Sequence, residues 1–260
     1  MNEIVTGGER DQSHSIRTIE EFTLNAWPAL RQVLLDGWVL RFADGYTRRS
    51  NSVNPLYPGT DDVREKVPAC EKVYQSVGLP TTFKLTPDSI PAGLDRLLVE
   101  RGYREAAGAS VQLCDLGDSP AVEVSAGMLR VWDAPSDEWL DAFASFNSVG
   151  PRHRETLRSI IAAIIPARRL IAVVEAGAII ACGLGVAQPP FVGLFDIVTR
   201  PDRRNRGIGS YVVSSLLRWG REQGATVGCL QVMLDNPPAW ALYARLGFGE
   251  AYRYTYFVKD

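Results

Sequence analysis

Histidine and cysteine are scarce in this chain, and their scarcity removes several chemistries at once. The only two histidines, His14 and His153, stand far apart in 260 residues. The four cysteines (Cys70, Cys114, Cys182, Cys229) are scattered, with no C-x-x-C pair and no histidine beside them. Neither a metal site nor a disulfide framework is therefore expected, and a reducing cytoplasm fits. Cys182 and Cys229 sit in apolar runs and read as core thiols, not nucleophiles. Charge of one sign is also missing: 28 basic against 30 acidic residues leave a net charge of −2, which argues against nucleic acid as a partner. No apolar run reaches the length of a membrane span, and the opening residues do not read as a signal peptide. What remains is the composition of an ordinary globular protein, 46% hydrophobic and 22% charged.

Against that plain background, Arg200-Pro-Asp-Arg-Arg-Asn-Arg-Gly-Ile-Gly-Ser210 stands out. Upstream, residues 191–198 form an aromatic and branched run that reads as a buried strand. Downstream, residues 211–221 carry Val212, Val213, Leu216 and Leu217 at helical spacing, and Gly224 is a stop. A strand, a glycine turn and a helix start leave unpaired N–H groups at a positive helix end, which is an anion site. Gly207 and Gly209 let the backbone approach a pyrophosphate, and Arg200, Arg203, Arg204 and Arg206 surround it with only Asp202 opposing. The segment lacks the Gly-Lys-Ser/Thr ending of a P-loop. It also lacks the third glycine and distant acid of a dinucleotide fingerprint.

A second segment follows. Residues 225–234 read as a strand, Asp235-Asn236-Pro237-Pro238 starts a helix, and Gly247-Phe248 ends it. Arg204-Asn-Arg-Gly-Ile-Gly209 fits the pattern Arg/Gln-x-x-Gly-x-Gly/Ala, and Asn236 is followed seven residues later by Tyr243-x-x-Leu-Gly-Phe248. Together, in this order, the two motifs resemble those of the GNAT superfamily of N-acetyltransferases over the last half of the chain. The resemblance implies an α/β fold with a mostly antiparallel mixed sheet flanked by helices. It also implies acetyl-CoA as co-substrate and no metal. Arg204, Asn205, Arg206, Gly207, Ile208, Gly209 and Ser210 would bind the pyrophosphate. Ile197, Val198 and Thr199 would meet the pantetheine arm, Asn236 would contact that arm, and Tyr243 would protonate the leaving thiolate. Seven residues are close to two helical turns, so Asn236 and Tyr243 share a face. The acceptor would be a small-molecule or peptide amine.

Deprotonating an amine calls for a base, and Asp196 is the candidate, an acid inside an apolar strand whose burial would raise its pKa. A strand-end aspartate bonded to backbone or to an arginine is the alternative. Gln231 stands where some relatives carry glutamate, and Glu175 reads as a hairpin residue before Ala176-Gly177. The run Arg152-His-Arg154 falls between two helical segments, residues 136–146 and 155–164. It is read either as a solvated basic loop or as a contact for a carboxylate or phosphate on the acceptor.

The first half repeats the ending of the second. Leu97-Leu-Val-Glu-Arg-Gly-Tyr-Arg-Glu-Ala106 aligns without gaps on residues 242–251, with Gly102, Glu105 and Ala106 identical. Leu98 then stands for Tyr243 and Pro91 for Asn236, while residues 57–64 lack the paired glycines and carry Asp61 and Asp62. The expected organisation is a disordered leader (1–13), a degenerate GNAT-like domain (14–117), a linker (118–127) and a catalytic domain (128–260). The first half would wall the acceptor pocket or form a homodimer surface. Residues 16–35 read as helical, broken at Trp27-Pro28, and residues 38–42 and 49–54 read as a hairpin around Asp44-Gly45. The Arg-Arg-Ser-Asn-Ser-Val-Asn run of that hairpin resembles segments of bacterial acetyltransferases, without a chemistry to attach to it. Two rival functions share these features: a non-catalytic acyl-CoA-binding module, and an acyl-CoA enzyme running another reaction.

Overall fold

Ser15 opens the fold by capping a helix, its hydroxyl accepting from the Thr18 amide at 3.1 Å. That helix, α1 (Ile16–Ala26), buries Ile19, Phe22 and Ala26. The computed structural model describes residues 14–117 and 127–260, so the leader and all but residue 127 of the linker lie outside the described residues. Residues 31–35 were expected to continue the helix, but they form β1 (Arg31–Leu35), an edge strand with four of its five residues exposed. The reason is a tight turn. Asp36 and Gly37 both take left-handed backbone (φ 41° and 82°) and fold β1 onto β2 (Trp38–Phe42). Asp44 and Gly45 are left-handed too, but they open a longer loop. Residues 48–50 of that loop coil into a 3-10 turn, so the partner strand shrinks to β3 (Val53–Pro55).

The chain continues through α2 (Val63–Ser76), β4 (Thr81–Leu85), α3 (Leu94–Glu100) and β5 (Arg104–Asp115). After the linker come β6 (Met128–Trp132), α4 (Asp137–Asn147), α5 (Pro151–Ala162), β7 (Ala167–Glu175), β8 (Ala178–Gln188), β9 (Phe191–Thr199), α6 (Ile208–Glu222), β10 (Val227–Met233), α7 (Pro237–Arg245) and β11 (Gly249–Lys259). The eleven strands among the described residues form one mixed sheet in the order β1-β2-β3-β4-β11-β5-β10-β9-β8-β7-β6. Only β3/β4 and β9/β10 are parallel neighbours. On one face, α1, α4 and α5 pack through Phe22, Trp139, Leu140, Leu157 and Ile160. On the other, α6 packs over the second half through Val212, Leu216 and Leu217, and α2 and α3 over the first through Val67, Tyr74 and Leu98. Each such side chain contributes roughly 1.5–3 kcal/mol by burial.

The helix–glycine–aromatic endings that align in the sequence also share a local form. In both copies a short helix (α3, α7) ends at a left-handed glycine (Gly102 φ 85°, Gly247 φ 87°), a buried aromatic follows (Tyr103, Phe248), and a long strand begins. Those two strands, β5 and β11, pair antiparallel at mid-sheet, and Tyr254 is the partner of Ala109. In the gapless alignment Ala109 and Tyr254 are equivalent positions, so a local two-fold axis passes between them. Each strand has also crossed over: β5 lies against β10, and β11 against β4. A buried ion pair spans the crossing. Lys84 Nζ on β4 sits 2.6 Å from Glu20 on α1, whose carboxylate also accepts from the Tyr252 hydroxyl of β11 at 2.7 Å. Burial lowers the pKa of Lys84. No helix among the described residues is long and apolar enough to cross a membrane.

Candidate active site

The site begins where the sheet divides. β9 and β10 pair over four positions only, from Phe191 with Val227 to Leu194 with Leu230. Beyond them β9 stays on β8 and β10 stays on β5, so the two strands part and leave a wedge with free backbone edges. Ile197, Val198 and Thr199 lie on the diverging part of β9, half-buried.

At the end of β9 the chain makes a 3-10 turn (Pro201–Arg203), passes Asn205 (φ 61°) and Gly207 (φ 77°), and enters α6 at Ile208, earlier than the apolar spacing suggested. Gly207 is the N-cap residue and, having no side chain, leaves the first-turn amides uncapped. The amides of Asn205, Arg206 and Gly207 donate no hydrogen bond among the described residues. Gly209 allows α7 to approach, since a β-carbon there would lie 2.8 Å from Leu242. The four arginines are not equivalent. Arg200 is held by Asp202 at 2.6 Å, and Arg203 by Glu175 at 2.7 Å and Asp202 at 2.9 Å. Arg204 donates to the Thr199 carbonyl at 3.3 Å, while Arg206 is exposed with no partner among the described residues. Two of the four cations expected at the mouth are thus already neutralised, and Glu175 is the counter-ion of one.

Asp196 marks the point of divergence. Leu184 pairs with Phe195 and Cys182 with Val198, so Asp196 and Ile197 together oppose Gly183 in a β-bulge, with Asp196 left-handed (φ 53°). Ile197 consequently turns toward α6 and Asp196 toward the opposite face. The Asp196 Oδ2 atom is buried and has no hydrogen-bond partner. Burial raises its carboxyl to about pH 7, moderated by the positive charge of Arg49. The same burial, helped by the Asp196 charge, keeps the Tyr46 hydroxyl and the Cys182 thiol protonated. No hydrogen bond or ion pair joins the Asp196 carboxylate to backbone or to an arginine among the described residues.

On α7, Asn236 is the N-cap, its Oδ1 accepting from the Ala239 amide at 3.3 Å. Tyr243 lies two turns on, half-buried, its ring edge-on to Phe248 at 5.8 Å. Its hydroxyl makes no hydrogen bond among the described residues, and burial pushes its pKa up to about 12. Gln231 on β10 accepts from Tyr254 at 2.9 Å, and its Nε2 atom is buried without a partner. The Arg152-His-Arg154 run is not a loop: Pro151 starts α5, so these residues fill its first turn. Arg154 is engaged by Asp137 at 2.7 Å and Asp141 at 2.6 Å, and His153 leans on the Tyr46 ring at 5.4 Å.

Residues 13–257 match the protein family described as "Probable histone acetyltransferase Rv0428c C-terminal". The chain belongs to this family. It is an acetyltransferase of the GNAT type, and its mixed sheet is the GNAT fold. It is 29% identical over 248 residues to the "Uncharacterized N-acetyltransferase YobR" of Bacillus subtilis (strain 168), covering 94% of this chain and 98% of that protein. Among solved structures it resembles a GCN5-related N-acetyltransferase from Kribbella flavida (TM-score 0.67, 18% identity, 94% of this chain and 95% of that one). It also resembles a tandem GNAT protein from the clavulanic acid biosynthesis pathway (TM-score 0.68, 14% identity, 93% and 87%).

Sequence reasoning passed over several residues of this GNAT protein. Tyr46 and Arg49, from the loop between β2 and β3, reach the Asp196 side of the wedge. The only sign of them was the Arg-Arg-Ser-Asn-Ser-Val-Asn run, which carried no chemistry on its own. Nor did the sequence pair Asp36 with the amides of residues 60 and 61, because that contact spans a hairpin.

Proposed function

We propose that this protein moves an acetyl group from acetyl-CoA to a primary amine by direct attack in a ternary complex. The observation that carries the reading is the wedge between β9 and β10, with uncapped, unbonded amides at one end and a partnerless buried carboxylate at its throat. The free amides of residues 205–207, the start of α6, and the unpaired Arg206 suit a diphosphate. The open edge of β9 offers N–H groups to the pantetheine arm and to the thioester oxygen. Asn236 uses its Oδ1 as a helix cap, which leaves its Nδ2 for that arm.

A primary amine with a pKa near 10.4 is almost wholly ammonium at pH 7 and must lose a proton before it attacks. Asp196, with its carboxyl near pH 7 and Oδ2 free, takes that proton directly or through water. Tyr243 is a donor at every physiological pH. A phenol near 12 is a weaker acid than a thiol near 8.5, so it stabilises the departing thiolate chiefly as a hydrogen-bond donor. The first half reads as a second copy of the unit that has lost its coenzyme site and walls the acceptor pocket.

The test is calorimetric titration of the full chain with coenzyme A, followed by thiol release from acetyl-CoA across an amine library. Uptake with amine-dependent release supports the reading; no uptake ends it. Asp196→Asn and Tyr243→Phe should bind coenzyme and lose turnover, which a non-catalytic acyl-CoA-binding protein would not show.

A further inference from the structure

The loop joining β2 to β3 (residues 43–52) is braced from within and presents one cation at the end of the brace. Arg41 is buried. Its guanidinium donates to the carbonyl of Arg49 at 2.7 Å, to that of Leu24 at 3.2 Å and to that of Trp27, which fastens the loop to the end of α1. Asn51 fills the loop's interior, accepting from the amides of Ala43 (2.7 Å) and Gly45 (3.0 Å) and donating to the Thr47 carbonyl (2.7 Å). Six hydrogen bonds thus fix a loop that has no regular structure beyond one 3-10 turn.

What the brace holds is Arg49. Its guanidinium lies over two aromatic faces, Trp27 at 4.9 Å and Phe195 at 5.5 Å from the ring centres. It makes no hydrogen bond or ion pair among the described residues. A half-buried guanidinium stacked on two rings still has five N–H donors to satisfy. Phe195 is the residue next to Asp196, and Arg49 is the cation whose charge Asp196 feels. Strand alternation sets the third member. Cys229 faces the α1/α4/α5 side and Leu230 the other, so Gln231 shares the face of Asp196 and Arg49. Tyr254 donates to Gln231 Oε1, and the Nε2 atom of the same amide is buried without a partner among the described residues. One face of the wedge therefore holds an unpaired acceptor (Asp196 Oδ2) and two unpaired donors (Arg49, Gln231 Nε2).

We propose that Arg49, assisted by Gln231, is the acceptor's specificity residue, and that the acceptor is an amine bearing a carboxylate close to its nitrogen, as in an α-amino acid. The amine would face Asp196 and the carboxylate would take the guanidinium fork, so each unpaired group on this face gains a partner. Two arginines in this loop, Arg48 and Arg49, repel a lysine-rich tail. The inference rests on the transferase reading above and is separable from it.

The full-length protein is tested with an α-amino acid, its carboxamide and its decarboxylated amine, and with a lysine-rich peptide. The readouts are kcat/KM by thiol release and calorimetric binding of the amino acid in the presence of coenzyme A. The expected result is a preference for the free carboxylate of about 10- to 100-fold, the range of a charge-assisted hydrogen bond. In Arg49→Gln the ratio of acid to carboxamide should fall toward one and the heat of amino-acid binding should vanish, while Arg49→Lys should restore part of both. Because the Arg49 side chain contributes no hydrogen bond to the brace among the described residues, its replacement leaves the brace intact, and coenzyme titration confirms that each variant is folded. Equal rates for acid and carboxamide, a preference for the peptide, or a ratio unmoved in Arg49→Gln would overturn the inference while leaving the transferase standing. No coenzyme uptake and no turnover with any amine would overturn both.

Discussion

The loops that follow β9 and β3 occupy matching places in the two halves and treat the backbone amides in opposite ways. After β9 the chain leaves the amides of residues 205–207 unbonded at the mouth of α6. After β3 the amides of Thr60 and Asp61 are already taken, at 2.8 and 3.0 Å, by the carboxylate of Asp36, which also pairs with Lys66 at 2.7 Å. Gly59 is where Asp36 enters: a β-carbon there would lie 2.0 Å from its Oδ2. The first half carries its own anion where the second leaves room for one, and Asp62 adds a further negative charge as the N-cap of α2. The same framework can thus leave its turn amides open or fill them itself, depending on whether an internal carboxylate reaches the turn.

The sharpest way to break this comparison is to separate the halves. The crossing of β5 and β11 means residues 127–260 alone would lack the strand that covers β10 and leave β11 without β4 and β5. Two unpaired edges in mid-sheet are an aggregation template. That fragment is expected to be insoluble or to lack cooperative unfolding by circular dichroism, and co-expression with residues 1–126 should recover the fold. A fragment that folds and binds coenzyme A alone would show that the crossing is dispensable.

Next in size is the pair Tyr243 and Leu98, one position in two copies. Leu98 is fully buried and packs with α2, so Leu98→Ala should cost about 2–5 kcal/mol of stability and leave coenzyme affinity alone. Tyr243→Phe keeps the ring and removes only the unbonded hydroxyl. It should leave the melting temperature nearly unchanged and lower kcat by about 10²- to 10³-fold, the effect of losing one stabilising donor. If instead Tyr243→Phe is mainly a folding defect, the tyrosine is a packing residue like its counterpart.

These contrasts show what could be read from sequence. The glycine turn, the two strand–helix units around it and the helix-Gly-aromatic ending of both halves were legible, because each rests on spacing within a few residues. The crossing of β5 and β11, the bulge at Asp196 and the brace by Arg41 were not, since they depend on partners far away in the chain. Residues 31–35 misled for a local reason: Leu34 is 78% exposed on an edge strand, so its apolar character reports nothing about a core face. The Arg152-His-Arg154 run misled because Pro151 belongs inside the helix as its first residue, not before it.

Asp196 gives a pH test with two readouts of opposite sign. Its carboxyl is raised from 3.8 to about 7 by burial. As a base it must be ionised, so kcat/KM should rise about tenfold per pH unit below 7 and level off above it. Tyr46 and Cys182 beside it stay protonated throughout, and His153→Gln should leave the profile in place. For stability the raised pKa works the other way. The unfolded carboxylate ionises near pH 4 and the folded one near 7, so folding loses free energy as pH rises across that interval. Asp196→Asn should therefore be inactive yet more stable than the native protein at pH 8, by about 2–4 kcal/mol, and nearly equal to it at pH 4. A variant no more stable at pH 8 would mean that the carboxylate is well solvated and unsuited to the role.

The smallest effect compares the two turns directly. Gly207 sits at φ 77°, where a β-carbon costs about 1–2 kcal/mol of strain. Gly207→Ala should weaken coenzyme A binding by about tenfold, because the strain falls on the turn that presents the free amides. Asp36→Asn in the first half alters the corresponding turn without touching that site. Hydrogen bonds from Lys66, Thr60 and Asp61 hold the Asp36 carboxyl well below the usual carboxylate range. Whatever stability it supplies is present above pH 4 and fades as acid protonates it. Asp36→Asn should lower the melting temperature at pH 7 and narrow the gap from the native protein at low pH, with coenzyme affinity unaltered. If removing the Asp36 charge creates a second coenzyme site, seen as doubled stoichiometry in the titration, then that carboxylate alone separates scaffold from binding site. One site in both proteins would mean that the lost glycines and the added Asp61 and Asp62 also matter.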